Sequence, residues 1–395
     1  MRQLATIRTI EKISSIPDAD KIEVCSLKNL QYDCVIKKGE YQVGQTVIYI
    51  ECDSICPEIS AFEFLREGNF RIKIRRFRKQ ISEGLVMPLS ILPTECKIEE
   101  GKEVTDILGI KNYVRPEEES EEEQLANSNK NRTPLMKFLM DFYVFRKVYL
   151  FFNSNVKGNF PTQFGVSKTD ETRIQSCARK LMEHYEEELY ITEKIDGQSG
   201  TFFTYFIKKW ARKVKSFGTC SRNMWLKTKN NSTYWKIVDK YDLEKKMKQY
   251  ADLLIIQGEV TGLAIQDNKY KLDCIDLFVF NLLKNGNIVS LNEMETTCIE
   301  LGLKTVPIVN RSFIPSRDIG TNKEVKEVVD FMVNLSQGDS QLLKRKREGV
   351  VIRLVSNPSI SFKVINPYFT LENEEKMKKN KKVDSGVETA VSEKV

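Results

Sequence analysis

Short runs with alternating apolar and polar residues fill the first 110 positions of the chain. These runs are rich in β-branched residues, and turn signals such as Pro-Asp, Lys-Gly and Gly-Gln separate them: ATIRTIEKISSI, KIEVCSL, YDCVIKKG, QTVIYIEC and NFRIKIRRF. Alternation with a period of two is typical of strands that bury one face, because successive side chains point to opposite sides. About five strands without a long helix predict a small β-barrel.

The pattern changes after this barrel, which we interpret as one of the OB type. Residues 116–134 join an acidic run to an Asn-rich stretch, as in a linker, and residues 373–395 have almost no apolar side chains, which predicts a disordered tail. Between them, a helical period over 168–189 precedes several β-rich runs. We therefore expect an α+β chain with an OB-type domain at 1–115, the linker, a larger domain at 135–372 and the tail.

The most hydrophobic run, residues 135–152, carries Lys137, Asp141, Arg146 and Lys147 in its middle. A membrane-spanning helix needs about 20 nearly uncharged residues, so this run is better interpreted as a buried or linker helix. The N-terminal residues lack the apolar stretch of a signal peptide. Nine scattered cysteines without a CxxC pair fit free thiols in a reducing compartment. We expect a soluble, intracellular protein, in the cytoplasm of its own cell or, if viral, of the host.

The composition excludes two classes of chemistry. The chain has a single histidine, His184, which lies in the charged stretch MEHYEEELY and is typical of a surface or helix residue. A Ser-His-Asp relay requires a histidine poised near neutral pH, and multi-histidine metal sites require several. Any catalysis must therefore use lysine, arginine, aspartate and glutamate.

Positive charge is clustered. The net charge is +7, and six of the nine residues in 71–79 are cationic. Further clusters lie at 207–215 and 344–347, with Phe77 and Trp210 interleaved among the cations of the first two clusters. Together they favour a polyanionic partner. The nucleic-acid-binding candidates in the first cluster are Arg71, Lys73, Arg75, Arg76 and Arg78.

Charged and aromatic residues also recur within or beside predicted strands between 194 and 363. Alone, Lys194-Ile195-Asp196-Gly197 would predict a hairpin turn, since Asp-Gly is a common turn pair. The further residues follow in order: Ser221-Arg222-Asn223, Glu259 in LLIIQGEVTG, Phe278 and Phe280 in DLFVFNLL, Glu348 in REGVVIR and Lys363 in ISFKVIN. Alternation along the strands can aim these groups into one cleft. Phe278 is better interpreted as core.

As an ordered set, these motifs resemble those of covalent nucleotidyltransferases: ATP-dependent DNA and RNA ligases and mRNA capping enzymes. The segments IPDADKIEV, FEFLREGNFRIKIRRFRKQISEGLVMPL and FPTQFGVSKTDETRIQS are similar to RNA ligases of the Deinococcus/Naegleria type, in which an OB domain precedes the catalytic domain. The resemblance implies an ATP-grasp-like ligase domain with antiparallel sheets and flanking helices. DNA ligases and capping enzymes carry their OB domain after the last motif, which favours RNA ligation here.

The resemblance also implies roles. Lys194 attacks the α-phosphorus of ATP and forms lysyl–AMP, AMP passes to a 5′-phosphate, and a 3′-hydroxyl then displaces it. We expect the pKa of Lys194 to fall, because Lys363, Arg222 and a metal face it. The other implied roles are metal binding (Mg²⁺ or Mn²⁺) by Glu348 and, through water, Asp196; ribose binding by Glu259; adenine stacking by Phe280 opposite Val350; and nucleotide or phosphate contacts by Arg222, Lys363 and Arg173.

One departure and several alternatives remain. Many relatives have two lysines separated by one residue in the last motif, whereas Ile365 follows Lys363 here, so a cation from 344–347 is a candidate replacement. The expected partner is RNA, as a nicked duplex with an RNA 3′-hydroxyl end, with no membrane and no obligate protein partner. The alternatives are a DNA ligase, a capping-type guanylyltransferase, or a nucleic-acid-binding protein with an inactive transferase domain.

Overall fold

The structure is a computed structural model that describes residues 3–113, 160–169, 171–210, 212–227, 229–263 and 265–376. The predicted linker at 116–134, the apolar run at 135–152 and most of the predicted tail lie outside the described residues. Among the described residues, no helix is long and apolar enough to cross a membrane. All nine cysteines are free thiols, as predicted.

The N-terminal part is built on a five-stranded antiparallel sheet with the order β3-β2-β1-β4-β8. A β-bulge between Ile10 and Lys12 divides β1, so that one end pairs with β4 and the other with β2. Both faces of β4 are buried. In chain order the strands are β1 (Ala5–Ser15), β2 (Ile22–Leu27), β3 (Asp33–Lys37), β4 (Thr46–Ile50), β5 (Ser54–Ile55), β6 (Arg75–Phe77), β7 (Gln80–Ser82), β8 (Leu85–Pro88) and β9 (Lys111–Asn112).

The basic segment 71–79 is not one strand, which corrects the prediction for NFRIKIRRF. Ile72 and Ile74 are buried in the barrel core, whereas β6 and β7 form a separate hairpin that turns at Arg78, with φ at 55°. Arg75, Arg76 and Arg78 are exposed on this hairpin. The cationic cluster is therefore divided between an interior portion and an exposed hairpin.

Internal acids bind the side chains of Arg71 and Lys73, two of the predicted RNA contacts. Arg71 pairs with Glu374 at 2.7 Å and with Asp53 at 2.6 Å, and only 10% of its side chain is exposed. Lys73 pairs with the same Glu374 at 3.2 Å. Glu374 lies in a helix that covers 367–376, so the predicted tail begins too early: residues 373–376 are helical. The chain thus returns to its N-terminal part at its last described residues.

The C-terminal part contains two larger sheets. One has the order β10-β21-β20-β11-β19, and the other has the order β14-β13-β12-β15-β16-β17, with β18 beside β16. The strands are β10 (Thr172–Arg173), β11 (Leu189–Lys194), β12 (Gln198–Lys209), β13 (Arg212–Cys220), β14 (Trp225–Leu226), β15 (Leu254–Thr261), β16 (Asp276–Lys284), β17 (Asn287–Ile288), β18 (Lys304–Thr305), β19 (Ile308–Phe313), β20 (Gly349–Leu354) and β21 (Ser361–Ile365).

Helices cover the outer faces of these sheets. The first sheet packs against α1 and α6, and the second packs against α2, α3 and α4. The helices are α1 (Ile174–Met182), α2 (Thr233–Tyr241), α3 (Leu243–Gln249), α4 (Leu291–Leu301), α5 (Pro315–Asp318) and α6 (Val325–Ser336). Ser232 and Ser290 cap α2 and α4 through their hydroxyl groups. The predicted helix over 168–189 is shorter, because Thr172 and Arg173 pair with β21 instead.

Candidate active site

A cleft of about 270 Å³ is lined by both sheets of the C-terminal part. Asp53, from the N-terminal part, also lines it. Most of the predicted site residues, which lie far apart in the sequence, share this cleft: Arg173, Lys194, Arg222, Glu259, Phe280, Glu348 and Lys363. Asp196 and Val350 are not among its lining residues.

The segment Lys194–Gly197 crosses from one sheet to the other, since Lys194 ends β11 and Gln198 begins β12. A Cβ atom on Gly197 would lie 2.5 Å from the carbonyl oxygen of Val260. Glycine is therefore required for the close approach to β15, the strand that carries Glu259. The Asp-Gly pair that would alone predict an exposed turn is instead a buried crossover, with Asp196 only 4% exposed.

The sheet register aligns one row of cleft residues across four strands. Thr192 lies opposite Val351, Val351 lies opposite Lys363, and Lys363 lies beside Arg173. Directly paired residues project to the same face of a sheet, and all four line the cleft. This row places an aliphatic side chain and two cations side by side on one wall.

Val350 is buried in the core beneath this sheet, which corrects its predicted contact with adenine. Val351 lines the cleft instead. Glu348 precedes β20, so strand alternation begins at Gly349 and not at Glu348. A Cβ atom on Gly349 would lie 2.2 Å from the carbonyl oxygen of Val364, so this strand closely approaches β21.

A β-bulge aims Phe280 into the cleft. Gln257 pairs with Asn281 and Gly258 pairs with Val279, so Phe280 is the extra residue on β16. Bulges next to active sites commonly redirect a side chain in this way. Phe278 is 3% exposed and packs in the core, as predicted.

Lys194 donates a hydrogen bond from Nζ to Glu348 Oε2 at 2.8 Å. Burial by itself would lower the pKa of the amine, but the carboxylates of Glu348, Glu259 and Asp196 together outweigh burial and raise it. This direction is opposite to the sequence-based expectation. In the protein alone, Lys194 is a protonated cation held by its acidic neighbours, and nucleophilic attack requires those negative charges to be neutralised.

Glu259 is placed against the crossover segment. Its Oε1 accepts a hydrogen bond from the backbone N–H of Gly197 at 3.1 Å. Burial, together with the neighbouring carboxylates, raises the pKa of Glu259 to about 8, although Lys194 and Arg222 oppose the shift. At neutral pH this carboxyl is therefore mostly protonated and able to donate as well as accept a hydrogen bond.

Asp196 has two partners that no motif in the sequence predicts. Its carboxylate pairs with Lys269, and its backbone N–H donates to the hydroxyl group of Tyr270 at 2.8 Å. Both residues lie in KYKLD, a stretch that resembles many surface loops. In this arrangement the acid is held behind the cleft wall, where its charge still acts on Lys194.

Ile365 lines the cleft at the position where the resemblance predicts a second lysine. None of residues 344–347 lines the cleft: Arg345 donates to the backbone oxygen of Lys269 at 3.0 Å, Lys346 pairs with Asp339 at 3.1 Å, and Arg347 is buried. Sequence reasoning missed Arg353, whose side chain lines the cleft and pairs with Glu171 at 2.9 Å. Within the described residues, its Nη1 is buried without a hydrogen-bond partner. Arg353 therefore adds a cation to the wall.

Comparisons with known proteins agree with this geometry. An OB-fold domain family matches residues 4–89, and the RNA ligase family matches residues 187–365. The structure of Naegleria gruberi RNA ligase with PPi is 26% identical, with a TM-score of 0.73, covering 95% of this chain and 100% of that chain. A variant of that enzyme with AMP and Mn is 25% identical, with a TM-score of 0.71, covering 94% and 99%. No curated protein sequence matches the chain.

The C-terminal part of the chain is an RNA ligase domain, and an OB-fold domain precedes it. The predicted fold, a barrel of the OB type followed by an α+β ligase domain, is confirmed. The family match is to RNA ligases and not to the DNA ligase, capping-enzyme or inactive-domain alternatives.

The cleft of this RNA ligase fits a divalent metal held mainly by substrate. The described residues contain no group of three or more histidine, cysteine, aspartate or glutamate side chains arranged to hold a metal ion. Glu348 presents a hard oxygen donor in a cleft that is also lined by several arginine and lysine side chains. Mg²⁺ commonly takes one or two carboxylates, several waters and substrate phosphates, and this donor set suits it.

Replacing Glu348 with glutamine is expected to shift the pH dependence of the first chemical step. Loss of the carboxylate removes a cause that raises the pKa of Lys194, so the neutral amine forms at lower pH. The maximal rate of covalent labelling by ATP should fall, and the pH at which this rate rises should be lower than in the unaltered protein. The measurement is labelling rate against pH at saturating nucleotide and metal. Glu187→Gln, a surface acid beside His184, is the control; an unmoved profile in E348Q would contradict the prediction.

Proposed function

We propose that this RNA ligase uses ATP to seal RNA ends, through a covalent AMP on Lys194. The observation that carries the proposal is the Lys194–Glu348 pair, at 2.8 Å, in a cleft lined by several basic side chains. The related Naegleria enzyme has been solved with PPi, with ATP and Mn, and with AMP and Mn. Those ligands support ATP and Mg²⁺ or Mn²⁺ as cofactors here.

In the first step, Lys194 Nζ loses a proton and attacks the α-phosphorus of ATP. A P–N bond forms, the bond to the bridging oxygen breaks, and pyrophosphate leaves. Lys363, Arg222 and Arg173 compensate phosphate charge, which is the main requirement of phosphoryl transfer. A divalent metal at Glu348, with Asp196 acting through water, supplies further neutralisation of phosphate oxygens when bound.

Three other residues hold the nucleoside, one at the ribose and two at the base. Glu259 contacts a ribose hydroxyl, which its protonated and ionised forms both allow, since a carboxyl group accepts in either state. Phe280 stacks on adenine, and we assign the opposite side of the base to Val351 in place of Val350. Arg353 contributes a further positive charge to the phosphate side of the cleft.

Two later steps complete sealing. The 5′-phosphate of the RNA attacks the lysyl–AMP phosphorus, the P–N bond breaks, and AMP becomes joined to the 5′ end through a pyrophosphate linkage. The 3′-hydroxyl then attacks the 5′-phosphorus, a phosphodiester forms and AMP leaves. Both steps need the same cations at the transferring phosphates, so one cleft serves all three.

The exposed hairpin β6–β7 is proposed as an RNA contact. Arg75, Arg76 and Arg78 project into solvent from the OB domain, where backbone phosphates can approach them. Contacts of this kind position the duplex without reading its bases.

Substitutions within the basic segment should separate RNA binding from stability. Arg75→Ala and Arg76→Ala are expected to weaken RNA binding at low salt while changing stability by less than about 0.5 kcal/mol. Arg71→Ala removes one cation from Glu374 and one from Asp53, which keep Lys73 and Arg173 respectively, and should cost about 3 kcal/mol. RNA retention on filters and urea unfolding measure the two effects. A loss of RNA binding by folded R71A equal to that of R75A would overturn the division.

The experiment that tests the substrate compares nicked duplexes that differ only at the nick. Sealing should be fastest when the 3′-hydroxyl end is RNA and the nucleotide is ATP. A DNA ligase would seal an all-DNA nick equally well, and a capping-type enzyme would label itself with GTP. Equal sealing of DNA and RNA 3′ ends would contradict the proposed specificity.

A further inference from the structure

The hairpin of β12 and β13 extends away from the cleft. Its base is at the active site, where Ser199 at one end and Ser221 at the other line the cleft. Its far end carries Trp210, between the paired residues Lys209 and Arg212. With a rise of about 3.3 Å per residue, β12 extends about 33 Å from Ser199 to Lys209.

The far end of this hairpin is exposed and apolar as well as basic. Trp210 is 100% exposed, Phe206 is 48% exposed and Val214 is 41% exposed. At the same level, Lys215 is anchored by hydrogen bonds to the backbone oxygens of Tyr250 and Asp252, so the hairpin is fixed below its tip. Several exposed apolar side chains at one end of a hairpin are typical of an interaction site.

The positive charges at this end of the hairpin repel each other and destabilise the pairing of its strands. Lys208 lies directly opposite Lys213 in the register, and like charges in that position are destabilising. Within the described part of the chain, neither lysine nor Arg212 forms an ion pair. Trp210 has φ at 56°, in the left-handed region that suits Asn or Gly better in a tight hairpin loop. Local stability therefore does not account for these residues.

We infer that the end of the β12–β13 hairpin binds the RNA arm that leads away from the nick. Lys208, Lys213 and Arg212 contact backbone phosphates, and Trp210 packs against the sugar edge or a base. Phosphates neutralise the repulsion between the facing lysines, and the indole gains an apolar contact. The reach of about 33 Å corresponds to roughly 12 base pairs of A-form RNA from the reacting ends. This inference rests on the proposed function, because it assumes that RNA occupies the cleft.

The test measures binding of full-length protein to nicked RNA duplexes with arms of about 6 or about 18 base pairs. The variant combines Lys208→Ser, Lys213→Ser and Trp210→Ala. Its affinity for the long-arm duplex should fall about tenfold, and the slope of log K against log salt should decrease by roughly 2. Its affinity for the short-arm duplex should equal that of the unaltered protein.

A matched control removes two exposed lysines elsewhere, Lys38→Ser and Lys236→Ser. Equal losses in the control, or equal losses on both arm lengths, would overturn the inference in favour of non-specific charge. A shift from dimer to monomer without any arm dependence would overturn it in favour of contact between two copies of the chain.

Covalent labelling with ATP is measured on the same proteins. Normal labelling together with loss of long-arm binding supports the hairpin as an RNA contact. Absence of labelling in the unaltered protein would count against the proposed function, whereas the arm-length comparison reports on the hairpin independently. The thermal unfolding midpoint of the variant checks that the exposed tip was changed without loss of the fold.

Discussion

Replacing Lys194 with methionine is expected to abolish covalent labelling of the protein by α-labelled ATP. The amine is the one atom that forms the bond to phosphorus in the proposed first step, and methionine keeps the length of the side chain without a nucleophile. Sealing from ATP should vanish with it, by a factor of at least about 10⁴. The measurement is label that remains on the denatured chain, stable to alkali and released by acid.

A surface lysine provides the control for this experiment. Lys323 pairs with Glu327 at 2.9 Å on the surface and is not among the residues that line the cleft, so Lys323→Met should label normally. A sharper control supplies RNA that already carries AMP at its 5′ end. If K194M seals that substrate, the defect lies in the first step and not in folding. Persistent ATP labelling of K194M would show that another residue is the nucleophile.

Arg173→Ala is expected to destabilise the contact between the OB and ligase domains. Arg173 reaches Asp53 at 3.5 Å and Glu51 at 3.8 Å, both in the OB domain, and only 13% of its side chain is exposed. Glu51 also accepts a hydrogen bond from Tyr32 at 3.2 Å. Removing the cation takes one counter-charge from each acid, although Asp53 keeps its pair with Arg71, and this should cost about 3 kcal/mol in unfolding free energy. Because Arg173 also lines the cleft, labelling by ATP should fall as well.

The unfolding midpoint in urea measures the first effect. Lys326→Ala is the matched control, because Lys326 forms another ion pair between the domains, with Asp33 at 3.7 Å. In this pair 50% of the Lys326 side chain and 32% of the Asp33 side chain are exposed. That change should cost less than about 1 kcal/mol. Arg173→Lys keeps the charge and should recover stability in part while labelling remains reduced. Equal midpoints for R173A and K326A would contradict the expectation.

Local patterns were sufficient to predict the residues that meet in the cleft. Lys194, Glu259 and Lys363 each lie within or at the end of a strand, and alternation aims such residues to one face. Strand alternation counted from Glu348 predicts that Val350 faces the cleft, and this prediction is wrong. Glu348 precedes the strand, so Val351, and not Val350, points into the cleft. Phe280 faces the cleft because of a bulge that only the pairing of two strands creates.

Long-range partners account for the other differences. A run of cations such as 71–79 gives no sign that Arg71 and Lys73 meet an acid about 300 positions later. Likewise, Lys269 pairs with Asp196 and Arg353 pairs with Glu171. These acids lie on other strands or loops, so the sequence does not predict either pair. The direction of the pKa shift of Lys194 also depends on three acids, and the sequence does not give their distances from the amine.

The attachment of Glu374 to Arg71 and Lys73 has a consequence for how the protein is made. The OB domain leaves the ribosome first and can fold early, but its two cations wait for a carboxylate about 300 residues downstream. At about 5–20 residues per second, that interval lasts about 15–60 seconds. Throughout it, the nascent chain exposes a basic surface that the finished enzyme hides. Emergence of the helix that carries Glu374, and not folding of the OB domain, is therefore the event that closes this part of the molecule.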